Sequence, residues 1–455
     1  MTRSLIDKYN VPGPRYTSYP TVPYWDVGEF SARQWLTHAK RCFRESNDSE
    51  GVSVYIHLPF CETPCTFCGC CKKFTRNHVV EEPYVADVVS EWSMYCEHFG
   101  AKPRIKELHI GGGTPTFFSA SNLSKLMESI FARADITEPV EFSFEGNPSS
   151  TTEEHLRSMR GHGFRRLSLG VQDFNPVVQR TINRIQPFEE VARVTETARR
   201  LDYSSINFDL IYGLPRQHLA GLVQTIEKVV DLRPDRIAFY GYAHVPWVPE
   251  ASQRRFAESE IPRGEQKRAL YEVGRELLLE AGYREIGMDH FALESDALYI
   301  AAQAGTLHRN FMGYTPLYST LCVGLGMSAI SDARYAFAQN EKTVEAYHAR
   351  VSAGELPVFR GHSLSEEDMV LRRHILDLMC RNETDLEQGV SRLDCAQECV
   401  ARLDGLIADE VVEVEGSRIR ITQLGQAFLR NVCMAFDARL WRGEQSQARM
   451  FSDTV

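Results

Sequence analysis

The sequence predicts an α/β fold: a partial (β/α) barrel followed by a mostly helical, winged-helix-like C-terminal domain. Three observations carry that expectation. Between about residues 51 and 290, six short apolar runs alternate with longer amphipathic stretches. The polar and glycine-rich signals fall just after those runs. Beyond residue 362 the order changes to helix, helix, strand pair and helix.

The runs are VSVYIHL (52–58), ELHIGG (107–112), VEFSFEG (140–146), RRLSLGVQ (165–172), INFDLIYG (206–213) and RIAFYGYA (236–243). Helix-like stretches separate them at 80–98, 121–133, 152–162, 188–201, 217–231 and 264–281. Alternation at this spacing means parallel strands joined by crossover helices. Chemistry in such barrels gathers where the strands end. Cysteines follow the first run and GGGTPT follows the second. Glu145 closes the third run, Gln172 the fourth and Ala243 the sixth, and Asp209 lies near the end of the fifth. One barrel face would collect them all.

The rest divides around that core, taken as 51–300. Residues 1–50 show no strong period, and Pro12, Pro14 and Pro20 break any helix there. They are expected to form a segment crossing the open face of the barrel, with Tyr16 and Tyr19 offering flat apolar surface. Residues 301–362 are expected to connect and complete the active site. The tail, 363–455, reads as helices at 365–380 and 386–407, a strand pair around Gly416 and a helix from Leu424.

A chain of 455 residues accommodates a barrel and one smaller domain. With 43% hydrophobic and 25% charged residues it reads as globular. No apolar run approaches the roughly 20 residues of a membrane helix, and the N-terminus has no stretch of signal-peptide type. A cytoplasmic location without a membrane partner is the expectation. The net charge of −10 argues against nucleic acid as a partner. In the tail, Arg418, Arg420 and Arg430 are interspersed with Glu413 and Glu415, which makes a poor phosphate-tracking patch.

Twelve cysteines in a cytosolic chain are thiols or metal ligands rather than disulfides. Five fall within residues 61–71, C-E-T-P-C-T-F-C-G-C-C. The spacing Cys61-x3-Cys65-x2-Cys68 can hold three irons of a cubane and leave the fourth open. An open iron can chelate the amino and carboxylate groups of a methionine. Structural zinc wants four ligands, usually as two separated pairs; zinc or chance stays open on spacing alone. Tyr55 and His57 occupy alternate positions on the first strand, so both can face the barrel interior. A strand histidine of this kind is most often a packed core residue.

The cysteine spacing, Phe67 before the last cysteine and GGGTP (111–115) resemble the radical S-adenosylmethionine (SAM) superfamily. GPRYTSYPT (13–21), YIHLPFC (55–61), GVQDFN (170–175), NFDLIYGLP (207–215), YAHVP (242–246), GMDHFA (287–292), LHRNF-x-GYT (307–315) and RN-x-CM-x-FD (430–437) resemble the oxygen-independent coproporphyrinogen III dehydrogenase family of heme biosynthesis. The resemblance implies a radical SAM partial barrel with one [4Fe-4S] cluster on Cys61, Cys65 and Cys68, and two SAM molecules. It places the first SAM at Tyr55, Gly112, Glu145 and Ile330. It places the second at Phe67, Gly113, Thr114, Gln172, Arg184, Asp209 and Ala243. Tyr55 and His57 are implied near the reacting centre, and Arg15 and Arg309 as partners of substrate propionates. The expected reaction converts two propionates of coproporphyrinogen III to vinyl groups. The expected electron donor is flavodoxin- or ferredoxin-like, and the expected state a monomer.

Some positions depart from the family pattern. Cys71 follows Gly69-Cys70 where relatives carry asparagine, and Gly146-Asn147 follows Glu145 where Val-Asp is common. Met312 replaces a glutamine, and residues 316–322 lack an acidic run. These fall on the substrate side, which keeps a related tetrapyrrole enzyme (a methyltransferase or an anaerobic heme-opening enzyme) or a heme chaperone as alternatives.

Overall fold

Val52–Leu58, buried almost throughout, is the kind of continuous apolar strand that a parallel sheet covers on both faces. It is the first (β1) of six parallel strands, with Arg104–Gly112 (β2), Asp135–Gly146 (β3), Arg166–Gln172 (β4), Ser205–Tyr212 (β5) and Arg236–Gly241 (β6). They pair in sequence order at the centre of a 13-stranded sheet. The computed structural model describes residues 3–248, 252–253, 255–387, 395–443 and 451–454.

The crossover helices are Glu81–Phe99, Ala120–Ala132, Glu153–Gly161, Phe188–Arg200, Leu219–Leu232 and Gly264–Glu280. Each matches an amphipathic stretch in the sequence. Because the six strands are parallel, their C-terminal tips all lie on one face. A short additional helix, Pro176–Thr181, lies between β4 and the helix that follows.

The flanks hold more regular structure than the sequence suggests. Leu321–Leu325 runs parallel to β1, and Ile330–Ala333, Ala336–Asn340 and Val358–Ser363 add antiparallel strands beyond it. The stretch 301–362 therefore contributes four strands to the main sheet, between β1 and the terminal strand Asp26–Val27. Residues 1–50 are likewise not one irregular segment. Ala32–Ser46 is a helix opened by a capping box between Ser31 and Gln34. Its Trp35, Ala39, Cys42 and Phe43 enter the main core at helical spacing. The prolines that discourage a helix all precede it, ending at Pro23.

The C-terminal domain has its own core, around Leu371, Ile375, Leu378, Ile419, Phe428, Val432 and Phe436. Glu366–Arg381 forms the expected first helix. The expected helix 386–407 lies partly outside the described residues and otherwise appears as Ala396–Ala401 and Asp404–Ala408. The strand pair turns at Gly416, φ +64°, and Glu383–Asp385 makes it a three-stranded sheet. After Leu424 the chain forms Gly425–Phe428, a 3-10 turn, then helices Leu429–Met434 and Ala438–Trp441.

Candidate active site

The cysteine loop leaves the tip of β1 and is fixed by backbone bonds on two flanks. Phe60–Cys61 pairs with Lys73–Phe74, Cys61 facing Phe74. The N–H groups of Gly113 and Thr114 donate to the carbonyls of Leu58 (2.8 Å) and Phe60 (3.0 Å), so the glycine loop after β2 lies directly on the start of the cysteine loop. That approach requires glycine. A Cβ on Gly113 would stand 2.5 Å from the Pro59 carbonyl, and one on Gly112, at φ +112°, 2.7 Å from the His57 ring.

On the other flank, the Thr66 N–H donates to Ile182 O (2.9 Å), and the Thr66 hydroxyl to Thr181 O (3.0 Å). Asn183 Nδ2 donates to Pro64 O (2.9 Å). Arg184 reaches Cys65 Sγ through Nη1 (3.7 Å) and Gly170 O through Nη2 (2.7 Å). It thus spans from the cysteine loop to the bulged tip of β4, where Gln172 sits at φ +66°.

The thiols share one neighbourhood. Burial pushes the Cys61 thiol up to about 11, and the nearby Cys68 and Cys65 thiols push the same way. A hydrogen bond from Cys70 draws Cys68 down, with Lys72 assisting. Among the described residues no three His, Cys, Asp or Glu side chains converge to hold a single ion. A cubane makes no such demand, since each thiolate takes a different iron. Three thiols on one short loop, with Arg184 at Cys65 and Lys72 near Cys68, therefore fit a [4Fe-4S] cluster.

The lumen beneath carries two carboxylates. Glu145 accepts from Gly112 N (3.3 Å) and lies 3.3 Å from His109 Nε2; His109 Nδ1 meets Ser143 Oγ at 2.7 Å. Asp209 accepts from Ser168 Oγ (3.1 Å) and Asn207 Nδ2 (2.8 Å). Burial, and then the Glu145 carboxylate, push Asp209 up to about 7. Tyr55 stacks on His109 and its hydroxyl lies 3.1 Å from His57 Nδ1. Burial holds His57 below its ordinary value. The neutral ring donates from Nε2 to Cys71 O (2.9 Å) and accepts the Tyr55 hydroxyl at Nδ1, the tautomer its partners require.

Ile330 lies one strand away: a Cβ on Gly324, the partner of Tyr55, would meet the Ile330 carbonyl at 2.4 Å. Phe67 and Ala243 are joined by a residue the sequence did not single out. Gln253 donates from Nε2 to Phe67 O (2.8 Å) and Ala243 O (3.0 Å) while accepting from Val245 N (2.6 Å). Neither Gln253 nor His109 carries a signal that periodicity or spacing would detect.

At the rim, Arg15 bonds Asp289 (3.2 Å) and Gly241 O (2.8 Å), and lines a cavity of about 670 Å³ with Lys267 and Arg430. Arg309 is buried and donates to the carbonyls of Arg15 (3.1 Å) and Tyr16 (2.5 Å). Tyr16 and Tyr19, each 2% exposed, do not face an open pocket as expected. They fill the C-terminal core, where Tyr16 OH bonds Asp437 (3.0 Å). The near-terminal motif explains this. Arg430 gathers the carbonyls of Gly13, Pro14, Asp453 and Thr454, and Asn431 holds that of Tyr9 (2.9 Å).

A thiol loop clasped by a glycine loop at the tips of a partial parallel barrel defines a radical SAM protein, and residues 55–229 match the radical SAM superfamily. The oxygen-independent coproporphyrinogen III oxidase of Pseudomonas aeruginosa is 37% identical over 96% of this chain and 95% of that one. Its Escherichia coli counterpart is 36% identical over 99% of this chain and 98% of that one. The solved structure of coproporphyrinogen III oxidase from Escherichia coli, described as a radical SAM enzyme, superposes with a TM-score of 0.89 at 35% identity, covering 96% of this chain and 99% of that one. The chain belongs to the oxygen-independent coproporphyrinogen III oxidase family.

Proposed function

We propose that this protein decarboxylates two propionate side chains of coproporphyrinogen III, without oxygen, to give the vinyl groups of protoporphyrinogen IX. The observation that carries this is the single constellation at the strand tips: three thiols, a glycine loop and two lumen carboxylates, with Arg15 bonded to the tip of β6. Cys61, Cys65 and Cys68 would hold a [4Fe-4S] cluster, which with SAM would supply the one-electron chemistry for removing a hydrogen atom from each propionate β-carbon, with CO2 and one electron released for each vinyl group. One electron enters and one departs for each vinyl group.

The chain's own residues bind, orient and enclose. Tyr55, Gly112, Glu145 and Ile330 would hold the first SAM, with Glu145 an acceptor for ammonium or ribose groups. Phe67, Gly113, Thr114, Gln172, Arg184, Asp209 and Ala243 would hold the second, with Arg184 as a planar carboxylate clamp. Neutral His57 fixes the Cys71 carbonyl and so the end of the cysteine loop. Arg15, held at the tip of β6 by Gly241 O and Asp289, is a propionate partner. Arg309 serves the substrate through the N-terminal strap it holds.

Among the described residues no helix is long and apolar enough to cross a membrane. A cytoplasmic monomer reduced by a flavodoxin- or ferredoxin-like carrier completes the proposal. The test is anaerobic reconstitution and turnover with coproporphyrinogen III. Two 5′-deoxyadenosines and two CO2 per protoporphyrinogen IX are expected. Methyl transfer, or SAM cleavage with the substrate intact, would overturn the reading.

A further inference from the structure

Glu91, on the crossover helix Glu81–Phe99, has no exposed surface, and its carboxyl bonds to no residue of the lumen site. Burying a carboxylate is costly unless its oxygens are met. Three donors meet them: Gly326 N–H (2.8 Å), Tyr347 OH (2.7 Å) and Asn340 Nδ2 (2.7 Å). Asn340 Nδ2 also donates to Gly326 O (2.9 Å). Carboxylate and amide together therefore hold both polar groups of one glycine.

Gly326 opens the turn that joins Leu321–Leu325 to Ile330–Ala333. Gly326 and Ser328 there take φ +97° and +59°, and the second is costly for a residue with a Cβ, so outside contacts must hold it. Asn340 N–H donates to Ala329 O (2.9 Å) and Gln339 Nε2 to Ser328 O (3.1 Å). Tyr84, two helical turns before Glu91 and on the same face, adds a second tie. Its hydroxyl accepts from Met327 N–H (2.8 Å) and donates to His57 O (2.8 Å). A Cβ on Gly326 would stand 2.5 Å from that carbonyl. One helix thus locks the turn against the end of β1. The turn leads into Ile330, whose carbonyl packs on Gly324, the partner of Tyr55.

We propose that Glu91 is a positioning residue for the SAM held by Tyr55 and Ile330: it fixes the turn that sets Ile330 one strand from Tyr55. The proposal rests on the assignment of those two residues to SAM in the function above. Glu91 acts through the backbone, since it has no surface to offer a ligand. Its ionised form is required. Glutamine has the same size, but its NH2 must face either Gly326 N–H or Asn340 Nδ2, donor against donor. Turning Asn340 over would set its oxygen against Gly326 O.

The test compares the parent with Glu91→Gln and Tyr84→Phe at pH 8, above the value of about 7 to which burial pushes Glu91. In apoprotein, hydrogen exchange reads the amides of residues 326–330. In reconstituted protein, SAM affinity is read from the change SAM makes in the EPR signal of the reduced cluster. Glu91→Gln should exchange faster across the turn, load iron as the parent does and bind SAM about tenfold more weakly. KM for SAM should rise more than kcat falls. Tyr84→Phe should move both readouts in the same direction and by less. Asp368→Asn removes a buried carboxylate of the C-terminal domain, bonded to His362 and Arg439, and should leave SAM affinity at the parental level. Parental SAM affinity in Glu91→Gln and Tyr84→Phe, or an equal loss in Asp368→Asn, would overturn the proposal. Failure of the parent to convert coproporphyrinogen III would instead count against the proposed reaction and leave the SAM comparison to decide the role of Glu91.

Discussion

Arg309 donates to the main-chain carbonyl of Arg15 at 3.1 Å, so the two arginines at the rim act in series rather than side by side. One presents a guanidinium at the rim cavity; the other fixes the backbone that presents it. Arg309→Gln should leave buried carbonyls unpaired and cost about 2–4 kcal/mol. It should speed amide exchange across residues 13–19 before it changes anything at the cluster. A raised KM for coproporphyrinogen with unchanged exchange would instead make Arg309 a direct substrate contact.

Asp209 should make the apoprotein pH-sensitive. Its folded value, raised to about 7 from 3.8, means that the folded chain holds a proton the unfolded chain has released between those limits. Its contribution to stability therefore falls as pH rises from about 4 to 7. Asp209→Asn removes that cost, and the partly hydrated lumen limits the gain to about 1–2 kcal/mol. Thermal unfolding of apoprotein should show the variant more stable at pH 8 and equal to the parent near pH 4. The same variant should keep its cluster and lose turnover. A stability gain that is the same at both pH values would remove the carboxylate from this account.

Gln253 should behave as a positioning residue. Gln253→Ala frees the carbonyls of Phe67 and Ala243 together, and each unmet acceptor costs about 1–3 kcal/mol. Iron content should be preserved, while KM for SAM rises with a smaller fall in kcat. Equal kinetics in parent and variant would show that the two carbonyls need no such tie.

Removing the strap needs a cut earlier than the boundary at residue 51 that the sequence suggests. A chain starting at Val52 would lose Trp35 and Phe43 from the barrel core. A chain starting at Val22 keeps that helix and removes Arg15, Tyr16 and Tyr19. It should load iron and cleave SAM slowly without forming vinyl groups. Its C-terminal domain should also melt earlier, because both tyrosines leave that core. Decarboxylation at the full-length rate would make the strap purely structural.

The parallel strands and their helices were legible because apolar runs and amphipathic periods repeat locally, and the cysteine and glycine loops because their spacing is their chemistry. The helix Ala32–Ser46 was hidden behind the prolines that precede it. The strands from Leu321 to Ser363 were hidden because strands joined to a distant partner leave little local pattern. Tyr16 and Tyr19 looked available because aromatic residues beside prolines suit a binding face; only the placement of Asp437 and Arg430, some 420 residues along the chain, shows where they go. Gln253 was invisible because a glutamine bonded to main chain can sit in any sequence context.

Iron and sulfide analysis of single Cys→Ala variants after anaerobic reconstitution tests the central claim most directly. Cys61→Ala, Cys65→Ala and Cys68→Ala should each fail to retain a four-iron cluster, because each thiolate holds its own iron. Cys70→Ala and Cys71→Ala should load as the parent does. A full cluster in Cys65→Ala, or its loss in Cys71→Ala alone, would contradict the assignment on which the function rests.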